Sequence, residues 1–248
     1  MSPSTQNADA GPAVKAKEDE VATPAVRILP TPQAQVVRHV HAALLVCLFL
    51  ARFGALVADP VSAMSNATPV VMATQALYAV VCLPPAGSQT AKLAKKIRPG
   101  EKRRPGAEST GPSVAVTTLI AFILSAIATP ALHVVLVLFG APFLTHLPHT
   151  LLCSLHLATL GLFPLFYTRG VSGKAWLEIL SARAPLDEVF GGLLGAGVGA
   201  WLGAVPIPLD WDREWQKWPV TILCGVYIGY LAGKLIGGSS LALGKRLG

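Results

Sequence analysis

Long apolar segments constrain this chain more than any other feature of its sequence. An α-helix needs roughly 20 residues to cross the hydrocarbon core of a bilayer, which is about 30 Å thick. Six predominantly apolar segments approach that length, near residues 39–58, 66–83, 114–139, 148–168, 187–206 and 219–238. Hydrophobic residues make up 52% of the 248-residue chain and charged residues only 13%, which is unlike a soluble domain. The sequence therefore predicts an all-α membrane protein, a bundle of six transmembrane helices.

Basic residues outside these segments fall mostly on one side of the predicted bundle. With six spans, sixteen Lys and Arg residues lie on the side that carries both chain termini, and only Arg213 and Lys217 lie on the other. Lys and Arg are retained on the cytoplasmic side during insertion, so we expect both termini in the cytoplasm. The loop of residues 84–112 contains seven of the sixteen and is expected to contact anionic lipid headgroups. Nucleic acid is not an expected partner, because the loop lacks aromatic and groove-binding elements.

The segments outside the predicted spans are short. A six-span domain of residues 39–240 follows a tail of residues 1–38, expected to be disordered and cytoplasmic, and precedes a cytoplasmic C-terminus of residues 241–248. Neither the tail nor the basic loop is long enough to fold a catalytic domain. Two histidines in one turn, His146 and His149, are too few to define a metal site. We therefore expect no catalytic residues, no cofactor and no metal.

Glycine recurs at every fourth residue in the last two predicted spans. Each repeat lines one face of its helix, because side chains four positions apart lie on the same face. Small residues at this spacing let helix backbones approach closely in lipid, where no hydrophobic effect drives helices together. We expect spans five and six to form a close-packed hairpin; alternatively, one glycine face binds a helix of a partner. The eight glycines are Gly191, Gly195, Gly199, Gly203, Gly225, Gly229, Gly233 and Gly237.

A short connection rich in proline and tryptophan joins these two spans. Pro206 and Pro208 are expected to end the fifth span. Trp211, Trp215 and Trp218 follow at positions i, i+4 and i+7. This spacing predicts a short helix that lies in the membrane interface and anchors the protein there.

Two aspartates in the same connection offer a second interpretation. Asp210 and Asp212 flank a tryptophan, and paired carboxylates can hold a metal or activate a nucleophile. Neither further ligands nor a general acid accompany them, so we prefer the aromatic anchor.

Polar residues inside the spans point to an alternative function. Arg52, Gln75, His133 and His156 are predicted to lie at a similar depth, where polar side chains are costly. Such a layer would suit a transporter or an intramembrane lipid-handling enzyme with its own polar site, although a hydrogen-bonded belt is the simpler interpretation. Lys234, near the cytoplasmic end of the last span, is expected to extend its ammonium group to the membrane surface.

The connection and the glycine helices resemble the signature of a known family. The segment GAWLGAVPIPLDWDREWQKWP at 199–219, preceded by PLDEVFGGLLGAG at 185–197, is similar to the PIG-F family, the class F proteins of glycosylphosphatidylinositol (GPI) anchor biosynthesis. VLFGAPF at 137–143 and TLLCSLHLATL at 150–160 resemble the middle region of that family. The resemblance extends over residues 114–238. Its motif residues are Pro206, Pro208, Leu209, Asp210, Trp211, Asp212 and Trp215.

The resemblance implies a multi-pass subunit of the endoplasmic-reticulum membrane that is not itself an enzyme. Its partners would be the large catalytic subunits that add ethanolamine phosphate to the GPI anchor, which it would bind and stabilise. The catalytic metal site would then belong to the partner. The shortness of the connections between the predicted spans agrees with that role.

Overall fold

The computed structural model describes residues 23–88, 113–209 and 211–247, and every regular element in these ranges is a helix or a helical turn. The all-α prediction is thereby confirmed for this part of the chain. The helices are α1 (Pro32–Ala58), α2 (Pro60–Cys82), α3 (Val114–Leu138), α4 (Leu147–Leu157), α5 (Phe163–Arg169), α6 (Gly173–Leu180), α7 (Glu188–Gly203) and α8 (Val220–Gly237). A π-helical turn, Ala158–Leu162, joins α4 to α5, and a 3-10 turn, Glu214–Gln216, lies between α7 and α8.

The first helix begins earlier than the predicted span. The Thr31 hydroxyl accepts a hydrogen bond from the Ala34 amide, and Pro32 occupies the first turn, where its missing amide hydrogen leaves nothing unpaired. The segment before it, residues 23–31, was expected to belong to a disordered tail, but it packs on the bundle with Val26 buried. The rest of the predicted tail and most of the basic loop lie outside the described residues.

Helices α1 and α2 form an antiparallel pair around Asp59. This carboxylate caps α2 by accepting hydrogen bonds from the amides of Val61 and Ser62. The Ser62 side chain and these two amides lower the Asp59 pKa, because they stabilise the ionised form. At the opposite end, the Cys82 thiol donates to the Ala34 carbonyl over 3.3 Å.

The continuous helix formed by α4, the π turn and α5 lies at the centre of the bundle. In the most apolar 18-residue stretch of this helix, 78% is buried. The corresponding share is 17% in α1 and in α3. Helices α2, α3 and α7 pack around it. The ring of Phe163 stacks on that of Phe122 of α3, with ring centres 4.2 Å apart.

Four helices in the described ranges are long and apolar enough to cross a membrane: α1, α3, the α4–α5 helix and α8. Two of the six predicted spans correspond to helices that do not meet this combined criterion of length and hydropathy. The span near 66–83 corresponds to α2, which carries Ser, Thr, Asn and Gln, and the span near 187–206 corresponds to α7, which has only 16 residues. The six-span count therefore stays a prediction.

Candidate functional site

Helices α7 and α8 run antiparallel with their backbones in direct contact. A methyl group added at Gly199 would lie 2.8 Å from the Gly225 carbonyl carbon, and one added at Gly195 would lie 2.8 Å from the Gly233 Cα. Both distances are shorter than any ordinary contact of a side chain, so only glycine fits there. All eight glycines of the predicted repeats meet backbone atoms of the opposite helix or of the residue that precedes it, whereas Gly197 of α7 has open space around it.

The connection between these helices is organised by one amide side chain. Gln216 donates to the carbonyls of Pro206 and Leu209, each over 2.8 Å, and accepts from the Arg213 amide over 2.9 Å. These three bonds fold the connection back on itself at the end of α7. The Trp218 indole donates to the Thr150 hydroxyl over 3.0 Å and so ties the connection to the central helix.

The predicted interfacial helix through the tryptophans is wrong. Only the three residues Glu214–Gln216 are helical, because the bonds of Gln216 hold the preceding residues in a compact turn. Trp211 is exposed, and its ring centre lies 5.8 Å from that of Trp215. Asp212 is exposed at a positive φ of 45°. The remaining residue of the aspartate pair, Asp210, lies outside the described residues.

Two residues of the predicted polar layer are hydrogen-bonded to tyrosines of α8. His156 is buried, with Nδ1 2.8 Å from the Tyr227 hydroxyl and Nε2 3.2 Å from the Met64 carbonyl oxygen. Gln75 is also buried and donates to the hydroxyl of Tyr230 over 3.2 Å.

The other two residues of the layer differ in their surroundings. Arg52 is exposed and borders a cavity of about 20 Å³ beside His156, which has room for about one water molecule. His133, on α3, is half-buried, and its Nδ1 has no hydrogen-bond partner among the described residues.

The sequence did not predict a cluster of buried charges, which lies at the end of the α7–α8 hairpin opposite to the connection. Lys234, expected to reach the membrane surface, is instead only 4% exposed. Its Nζ lies 3.1 Å from Nδ1 of His41 and 3.3 Å from the centre of the Tyr78 ring. The expectation failed because a long amine near a helix end has two routes, outward to water or inward to an acid.

Glu188 is the acid at the centre of this cluster, and it is also buried. It forms an ion pair with Arg38, accepts from the Tyr78 hydroxyl over 2.9 Å and lies 4.0 Å from Nζ of Lys234. The cluster therefore joins α1, α2, α7 and α8. The only signal in the sequence was the presence of charged residues at the ends of apolar segments, which does not indicate the pairing.

A second buried acid fastens the N-terminal segment. Asp187 caps α7 through the amides of Val189 and Phe190 and also accepts from the Val26 amide over 2.8 Å. Its other partner is Arg169, at the end of α5, at 3.0 Å. This carboxylate connects residues 23–31 to the hairpin and to the central helix.

Most of these buried polar groups form hydrogen bonds or ion pairs with other groups of the protein. Among the described residues, no three His, Cys, Asp or Glu side chains are close enough to hold a metal ion. The buried histidines contact tyrosine, threonine, lysine or backbone groups. Chemically, the arrangement is suited to holding helices in fixed register.

The comparison with known proteins decides the family. The model of the GPI biosynthesis protein family Pig-F matches residues 40–238. This chain belongs to the PIG-F family. The predicted membership is confirmed, and the match includes most of α1 and all of α2, which lie outside the predicted range of 114–238.

Relatives of this PIG-F family member occur in fungi and animals. A Neurospora crassa protein named glycosylphosphatidylinositol anchor biosynthesis protein 11 is 58% identical over 221 residues, covering 89% of this chain and 80% of that protein. An Aspergillus fumigatus protein of the same name is 41% identical over 254 residues, covering 90% and 86%. A human protein named GPI ethanolamine phosphate transferase, stabilizing subunit, is 40% identical over 108 residues, covering 42% and 49%. No solved structure matches the chain.

Proposed function

We propose that this PIG-F family member is a non-catalytic subunit that binds and stabilises GPI ethanolamine phosphate transferases in the endoplasmic-reticulum membrane. The observation that carries the proposal is the family match over residues 40–238, together with human and mouse relatives whose names describe that role. The mutual pairing of the buried polar side chains supports it, because such pairing favours a fixed scaffold.

The proposal includes six spans with both termini in the cytoplasm. Helix α2 is less apolar than the other spans, but Thr68 donates to the Met64 carbonyl over 2.8 Å and Gln75 bonds Tyr230, which lowers the cost of these groups in lipid. Helix α7 is about 24 Å long at 1.5 Å per residue, and the turn that follows it extends the segment. The excess of basic residues on one side supports the orientation.

In this proposal the α7–α8 pair is the rigid element of the subunit. Glycine contacts bring the two backbones together, and the ion pairs of Glu188 and Asp187 fix the end of the pair against α1 and α5. Membrane lipids surround the exposed apolar side chains of the outer helices. The transferase binds to the assembled bundle and loses stability in its absence.

Two measurements test the proposed function. The tagged chain is purified in mild detergent, and a GPI ethanolamine phosphate transferase is expected to co-purify, whereas an unrelated multi-pass protein of the same membrane recovers none. Cells that lack this chain are expected to contain less transferase and to accumulate anchor lipids without their later ethanolamine phosphates. A normal transferase level and a normal anchor-lipid profile would refute the proposal. Ligand turnover by the chain alone in proteoliposomes would instead favour a transporter or enzyme.

A further inference from the structure

A long apolar groove lies on the outer face of the α7–α8 pair. Its volume is about 720 Å³, within the range of roughly 300–1,000 Å³ that is common for small-molecule sites. The glycine backbones form its floor, and Val198, Leu202, Ile228 and Ile236 border it with more than half of their surface exposed. Helix α8 alone is about 27 Å long at 1.5 Å per residue, which is comparable to a bilayer core of about 30 Å.

A second cavity continues the groove at the end where α8 stops. It has a volume of about 590 Å³ and shares Leu186, Ile236 and Leu247 with the groove. Its other border is the C-terminal segment, which includes Lys245 and Arg246. The groove therefore has basic residues at this end.

The backbone holds these basic residues in place. The Leu186 amide donates to the Lys245 carbonyl, and the Gly244 amide donates to the Leu186 carbonyl, each over 2.7 Å. The Arg246 guanidinium is already occupied, since it donates to the Arg183 carbonyl and lies 3.6 Å from the Glu178 carboxylate. Lys245 is exposed, and in the described ranges no acid lies within ion-pair distance of its ammonium.

We propose that the groove binds an acyl chain of an anionic glycerophospholipid, with the lipid phosphate beside Lys245. The apolar lining matches the acyl chain, and the exposed ammonium of Lys245 at one end matches the phosphate. In the proposed orientation this end is cytoplasmic, where the leaflet is rich in anionic lipids. This inference uses the proposed orientation but not the proposed role as a transferase subunit.

A lipid fits the groove better than a helix of another protein. Helices approach one another in lipid through glycine faces, and the glycines of this pair are already used in the contact between α7 and α8. A third helix would meet the protruding aliphatic side chains of the border instead. A flexible acyl chain can lie between them.

The test compares two lipids on the purified full-length chain in detergent. Phosphatidic acid and phosphatidylcholine with identical acyl chains are titrated, and bound lipid is counted by native mass spectrometry. Phosphatidic acid is expected to bind more tightly, and Lys245→Gln is expected to weaken it about fivefold without changing phosphatidylcholine. Arg27→Gln, which removes an exposed charge that borders neither cavity, is the matched control and should change neither lipid.

Equal affinity for the two lipids, or equal effects of Lys245→Gln and Arg27→Gln, would overturn the proposal. A second variant tests the groove itself. Ala232→Phe places a ring in the groove and should weaken both lipids, while size-exclusion chromatography checks that the protein remains folded. A photo-crosslinker at Ile228 of the full-length chain in its native membrane should label lipid, and labelling of a polypeptide there would overturn the proposal.

Discussion

The Nζ atom of Lys234 lies 3.3 Å from the centre of the Tyr78 ring, which places an ammonium of α8 directly over an aromatic face of α2. The Tyr78 hydroxyl in turn donates to Glu188 at the start of α7. A cation–π contact and a hydrogen bond to a charged acceptor are both stronger when water is excluded. This arrangement ties both helices of the hairpin to α2.

Substitution of Glu188 should destabilise the whole bundle. Glu188→Ala leaves Lys234 buried without its counter-charge and removes the acceptor of the Tyr78 hydroxyl. Loss of one partner from a buried ion pair costs about 3–5 kcal/mol. We expect a lower thermal midpoint of the detergent-solubilised chain. The control is Glu214→Ala, whose side chain is 84% exposed and should leave the midpoint unchanged. Equal midpoints for the two variants would show that the cluster does not contribute to stability.

The glycine contact predicts opposite outcomes for two neighbouring glycines of α7. Gly199→Leu forces a side chain into the Gly225 backbone, and overpacking of this kind costs about 1–3 kcal/mol. Gly197→Leu enters open space and should be tolerated. The level of the chain and of its co-purified transferase, measured by quantitative immunoblotting, should fall only for Gly199→Leu. If both variants accumulate to the same level, the close contact is not required for assembly.

The three hydrogen bonds of Gln216 should protect the connection between α7 and α8 from proteases. Gln216→Ala removes all three bonds, and the net loss per bond is about 1 kcal/mol. Trypsin added from the side that carries the connection should then cleave faster at Arg213 and Lys217. Gln216→Glu retains an acceptor for the Arg213 amide but loses both donated bonds, so its cleavage rate should be intermediate. Identical rates in all three proteins would contradict this role of Gln216.

The proposed topology is tested by chemical modification of residues that are expected on opposite sides of the membrane. A glycosylation acceptor inserted within residues 84–112 should stay unmodified, since that loop is expected in the cytoplasm. A Glu214→Cys variant, in a background where the exposed Cys47 is replaced by serine, should react with a membrane-impermeant maleimide only when the lumenal side is open. Glycosylation of the basic loop would show that the orientation is the reverse of the one proposed.

Much of the helical architecture could be predicted from apolar length and glycine spacing. Each apolar segment in lipid must satisfy its own backbone hydrogen bonds, so a helix follows from local sequence alone. The start of α1 was placed too late because Thr31 and Pro32, which cap it, precede the apolar run. The spacing of the tryptophans wrongly predicts a helix, because residue periodicity cannot predict the hydrogen bonds of Gln216 to the Pro206 and Leu209 carbonyls.

The membrane class, the family and the two glycine faces could be predicted from the amino-acid sequence, because they depend on composition, motif and the 3.6-residue helical period. The pairing of the buried polar groups, in contrast, depends on how the helices pack. His41 and Lys234 are 193 positions apart, and Gln75 and Tyr230 are 155 apart. Local pattern in one sequence carries no information about such pairs, since they form only when the packing of several helices brings them together. The direction of Lys234, inward to Glu188 instead of outward to water, follows from that packing.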